Sequence, residues 1–166
     1  MSGTYETEPY RIIAAETLAY FNLRIQEVYK DQYPLIPILV MGDFNDEPGS
    51  RALTEYALSS CNKNVVLRAR NPRLFNLMWP LTGYGYGTFW FDAPLFFDQF
   101  LVSKGFIHSK GIFEIVEDSV EVVHPAKIWE TQKGDPKPRA FEWKPRSPLG
   151  YSDHFPIALK IKQNQE

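Results

Sequence analysis

Along residues 8–30 the apolar side chains Ala14, Leu18, Phe21, Ile25 and Val28 recur at intervals of 4, 3, 4 and 3, a spacing that sets them on one stripe of an α-helix. The pattern predicts a helix from Glu8 to Lys30 with that stripe buried and the face carrying Glu16, Arg24, Glu27 and Lys30 in water. Thr7 is placed to cap it, and Pro9 falls in the first turn, where a missing N–H costs nothing. Asp31-Gln-Tyr-Pro34 closes it, because a residue before proline avoids the α region. The next segment changes period. Ile36 to Met41 is a continuous apolar run, which reads as a strand buried on both faces. It empties at once into Gly42-Asp-Phe-Asn-Asp-Glu-Pro-Gly-Ser50, a polar, carboxylate-rich turn.

Ser50 can cap a short helix reaching about Leu58, with Leu53, Tyr56 and Ala57 facing inward. Ser59 to Arg73 reads as irregular and basic, with Lys63, Arg68, Arg70 and Arg73 most simply a solvated loop. Leu74 to Trp79 reads as one or two helical turns, and Gly83 to Gly87 as a flexible turn. Strands are predicted at Thr88–Phe91, Phe96–Val102, within Ile112–Val123, and at Phe155–Ile161. Lys127 to Leu149 is charged, rich in proline and loop-like. Neither a repeat nor a linker divides the chain, so residues 1–166 read as one α+β domain with a sheet at its centre.

Composition narrows the function. The chain has 166 residues, 44% apolar and 23% charged, which excludes a disordered or fibrous chain. No apolar run is long enough to span a bilayer, and no basic-then-apolar leader pattern opens the chain. The single cysteine, Cys61, excludes an internal disulfide framework and a multi-cysteine zinc site. A net charge of −2 argues against a protein that grips duplex nucleic acid through many phosphate contacts. Catalysis on one phosphate is untouched by that argument. Aromatic residues at 15% and 13 prolines favour strands and loops over a helix bundle.

Three short segments can carry chemistry. Asp43 and Asn45 stand two apart after the Ile36–Met41 strand, and in extended chain such residues share a face. Asp153 and His154 stand immediately before the last strand. Asp98 lies inside the apolar run Phe96–Val102, where a charge is costly unless it is paired. Asp98 reads either as a satisfied structural carboxylate or as the group that fixes the tautomer of a histidine. Of the three histidines, His108 and His124 read as surface residues, and His154 is the better partner.

Gly42-Asp43-Phe44-Asn45, Phe97-Asp98-Gln99-Phe100-Leu101-Val102-Ser103 and Tyr151-Ser152-Asp153-His154-Phe155-Pro156, in that order, resemble three motifs of the endonuclease/exonuclease/phosphatase superfamily. Thr88-Phe-Trp fits the aromatic strand that the superfamily places before the second motif. The resemblance implies the DNase-like four-layer αββα sandwich, with this chain giving mainly one mixed or antiparallel sheet and its outer helices. It implies phosphoester hydrolysis, as in a nuclease or phosphodiesterase, with a hard cation, Mg²⁺ or Mn²⁺. It assigns Asp43 to the attacking water and to the metal, and Asn45 to the scissile phosphate. Asp153 goes to the metal shell, and His154, held by Asp98, places positive charge beside the phosphate oxygens.

Family members carry a metal-binding glutamate and a second histidine ahead of the first motif. Here 41 residues precede Gly42 and none of them is a histidine. The resemblance therefore implies a C-terminal half whose inner sheet face lies open, and which self-associates or takes its other half from a partner. A non-catalytic remnant or interaction module is the alternative. The substrate stays open among nucleic acids, phospholipids and small phosphoesters, as does localisation.

Overall fold

The structure, a computed structural model, describes residues 5–124, 129–132, 134–141 and 150–164. A 3₁₀ turn, Tyr5–Thr7, leads into α1, Glu8–Tyr29. The central sheet holds β1 (Leu39–Asp43), β2 (Ser59–Ser60), β3 (Leu74–Asn76) and β6 (Asp98–Val102) in the order β1-β6-β3-β2. Its inner strand β6 runs antiparallel to β1 and β3, and β2 joins β3 in parallel. A π-helical turn, Ala52–Tyr56, and α2, Lys63–Arg68, link β1 to β3, while α3, Lys104–Ile107, follows β6. Four two-stranded ladders complete the described fold. They pair β4 (Phe89–Phe91) with β5 (Ala93–Leu95), β7 (Phe113–Ile115) with β12 (Ile161–Gln163), β8 (Glu121–Val122) with β11 (Ile157–Ala158), and β9 (Trp129–Gln132) with β10 (Asp135–Pro138). The architecture is α+β.

Alternation along the strands divides the core in two. On one face Leu74 and Leu101 pack with Ala15, Ala52, Leu53 and Ala57 beneath α1. On the other, Phe100 packs with Met78, Phe96, Val122 and Phe155. The β8–β11 ladder thus packs Val122 and Ile157 against the second face, which is covered there rather than open as expected from sequence. What stays exposed is its margin: Met41, two residues before Asp43 on β1, is 67% exposed.

The same margin explains a second departure. Helix α1 forms as the spacing predicts, but it buries Ala15 and Asn22, while Phe21 and Val28 of the predicted stripe are 56% and 63% exposed. Among the described residues β1 pairs only with β6, so the sheet stops beneath the first half of the helix. Further along, Phe21 and Val28 stay exposed among the described residues. For the same reason β1 is a half-exposed edge strand rather than one buried on both faces.

Thr7 makes no capping hydrogen bond; its hydroxyl accepts from Arg11 instead. Leu74–Asn76 is a strand rather than a helical turn, because Leu74 and Asn76 both reach the core at period two. The stretch read as irregular holds α2, capped by Asn62, whose side chain accepts from the Asn64 N–H at 2.9 Å. In the segment read as a charged loop, β9 and β10 form a hairpin; residues 142–149 of that loop lie outside the described residues.

Candidate active site

The register of the β1–β6 pair ends on Asp43 opposite Asp98. Two carboxylates from distant stretches therefore stand side by side at one end of the sheet. Asp43 is fixed by its own turn. Its Oδ1 accepts from the Asn45 N–H at 2.7 Å and its Oδ2 from the Asn45 side-chain amide at 2.9 Å. Asn45 has φ +50°, a left-handed conformation that asparagine tolerates better than most residues. The turn is tied to β6 by the Phe44 N–H donating to the Phe97 carbonyl at 2.8 Å.

The second limb brings in His154. Its Nδ1 lies 2.7 Å from Asp98 Oδ2. A carboxylate only accepts, so Nδ1 carries the proton and Nε2 is the nitrogen left for a ligand. Hydrogen bonding to Asp98 holds the imidazole above its ordinary pKa; burial opposes this, and the charges of Asp98, Asp43 and Asp153 add to the rise. Phe89 forms a bridge with His154 in the backbone, and its ring lies 4.9 Å from the imidazole and 5.2 Å from Phe97. Thr88 locks both limbs together. Its buried hydroxyl accepts from the Phe97 and Asp98 N–H groups at 3.0 and 3.1 Å, and its carbonyl accepts from the Phe155 N–H at 2.7 Å.

Asp43, Asp98 and His154 can each bring a ligand atom within 4.8 Å of the other two. Asp153 is exposed and stands outside that group. His124 is no surface residue: its ring packs against Tyr86 at 5.0 Å and Phe155 at 4.6 Å, and burial lowers its pKa. Arg73 precedes β3, whose Phe75 lies opposite Val102. It therefore sits toward the end of the sheet away from Asp98.

Several supporting residues escaped the sequence reading. Arg11 of α1 pairs with Asp46 at 2.8 Å. The Glu47 carboxylate accepts from the Phe96 N–H at 3.0 Å; burial raises its pKa, and that hydrogen bond acts against the rise. Gln99, fully buried, reaches the Asp46 carbonyl. Only Gln99 carried a sequence signal, being a second polar residue inside an apolar strand.

A family model described as the endonuclease/exonuclease/phosphatase family matches residues 1–163. The chain belongs to that family. Comparison with curated proteins gave no significant match, nor did comparison with solved structures. The endonuclease/exonuclease/phosphatase family is one of phosphoester hydrolases, generally dependent on divalent metal. The donor set here fits a hard cation: Asp43 presents an exposed carboxylate, oxygen is the donor such ions prefer, and water completes their shells. Asp98 has one oxygen engaged by His154 and Asp43 has both engaged by Asn45, and each carboxylate oxygen keeps a further lone pair for a ligand.

Proposed function

We propose that this chain carries half of a metal-dependent phosphoesterase site of the nuclease or phosphodiesterase type. The observation that carries the reading is the 2.7 Å contact between His154 and Asp98, made across 56 residues of sequence and beside Asp43. Asp98 favours the charged imidazole, and His154 offers its Nε2–H to a non-bridging phosphate oxygen as negative charge builds in the transition state. Asn45 has one side-chain N–H on Asp43 and offers its second to the same phosphate. Asp43 orients the attacking water. Asp43 with Asp153 would hold Mg²⁺ or Mn²⁺, which would supply Lewis-acid polarisation of the phosphate. Hydrolysis of bis-p-nitrophenyl phosphate by the purified chain tests this. Slow turnover that needs Mg²⁺ or Mn²⁺ and vanishes in His154→Ala is expected. Equal turnover in that variant overturns the assignment, and no turnover with either ion favours the non-catalytic interaction module.

The open β1 edge and the exposed Phe21 and Val28 of α1 favour a further part of this reading. We propose that another copy of the chain, or a partner chain, covers that face, since apolar patches of this kind are uncommon on monomers. Light scattering after size exclusion is expected to show self-association of the purified chain or, with the partner, a complex. A well-folded monomer that gains activity from no partner would count against it.

A further inference from the structure

We infer that Gln99 is a positioning residue, whose buried side-chain amide seats the Asp43–Asp46 turn against the strand that carries Asp98. The chemical part of this rests on the function proposed above; the structural part stands alone. The two limbs of the site are held differently. His154 and Asp98 touch each other, and Thr88 fastens their backbones. The side chains of Asp43 and Asn45 bond only within their own turn; the ladder and the Phe44 N–H tie the start of that turn to β6, and beyond Phe44 its place depends on what anchors Asp46.

Gln99 follows Asp98 on β6 and projects to the opposite face, where it is 0% exposed. Its Nε2 donates to the carbonyls of Asp46 at 3.1 Å and Phe96 at 2.5 Å. Its Oε1 accepts from Asn76 Nδ2 at 3.0 Å, and Asn76 Oδ1 in turn accepts from the Met78 N–H at 2.8 Å. Both amide hydrogens meet carbonyl oxygens, so the orientation is forced; a flipped amide would set oxygen against oxygen. An amide two residues from Leu101 on the buried face of β6 is an expensive filler unless every polar atom is paired. What it gains is a grip on the main chain of Asp46, whose side chain Arg11 holds from α1. Asp46 is thereby fixed on both sides, and the far end of the turn that holds Asn45 against Asp43 is fixed with it.

Amide hydrogen exchange separates positioning from packing, using Gln99→Met (similar bulk, no amide) and Gln99→Glu (same shape, both donors lost). Exchange at the Phe44 and Asn45 amides should quicken about tenfold or more in each variant, the ratio expected for one lost buried hydrogen bond. The Leu77 amide, bonded to the Phe100 carbonyl, should keep its rate, and the ring resonances of His154 should stay in place. Unchanged rates at Phe44 and Asn45, or a uniform rise across the sheet, would overturn the inference and leave Gln99 a residue of core stability. In the hydrolysis assay kcat should fall with KM unaltered. Should the parent chain show no turnover, the proposed function fails while the exchange rates still decide the role of Gln99.

Discussion

His154 and His124 sit in similar company and end up opposite in chemistry. Each imidazole packs against aromatic rings, Phe89 for the first, Tyr86 and Phe155 for the second. His154 also has Asp98, whereas the Nε2 of His124 is buried with no hydrogen-bond partner among the described residues. The pKa of His154 is raised and that of His124 lowered. Burial pulls both down, and the hydrogen bond to Asp98, helped by the neighbouring carboxylates, reverses the sign at His154. A ring environment makes a histidine part of the core, and a hydrogen-bonded carboxylate shifts it toward the cation.

The sharpest way to break this contrast is to remove each ring in turn. His154→Ala should lower phosphoester hydrolysis by about a thousandfold, the scale of a lost electrostatic contact to the transition state. His124→Phe, which keeps the packing, should leave the rate within about twofold. A comparable loss in both would erase the distinction. Next comes the partner. Asp98→Asn removes the charge and leaves the burial, so the His154 pKa should drop below its ordinary value of 6.5, and hydrolysis at neutral pH should fall about a hundredfold. Titration of the ring resonances by NMR reads the first effect directly; a pKa that stays high would show that Asp43 and Asp153 suffice.

The smallest effect is on stability, and its sign differs between the two rings. A histidine with a raised folded pKa stabilises most below its unfolded value, and that contribution is lost as pH rises through the folded pKa. His154 therefore stabilises the fold in acid and ceases to above its raised pKa. His124 behaves in reverse: its contribution is present above pH 6.5 and is lost as pH falls toward its depressed pKa. Urea unfolding between pH 5 and 8 should show a shallower acid-side loss for His124→Phe than for the parent chain. A steeper one would mean that His124 is charged in the folded state.

The sequence displayed the polar ends of strands better than their neighbours. Asp98 was conspicuous because a charge inside Phe96–Val102 demands a partner, and His154 was the histidine adjacent to another carboxylate. Helix α1 was legible from its spacing, but which face it buries was not, since that depends on where the sheet beneath it ends. Leu74-Phe75-Asn76 gave too short an apolar run to separate period two from period 3.6. His124 looked like a surface residue because its ring partners, Tyr86 and Phe155, lie far away along the chain. The support given by Thr88 and Glu47 was invisible for a related reason. Their partners are backbone N–H groups, and every residue but proline has one.

Strand β1 ends at Asp43, and its outer row of peptide groups is a template along which another strand can add. Register then has a chemical meaning. A segment zipped along Leu39–Met41 delivers its next residues beside the carboxylate, so a slip by one position exchanges the side chain presented there for its neighbour on the other face. Were a strand to add there, its seating and the side chain it sets beside Asp43 would be a single event, fixed by where β1 stops.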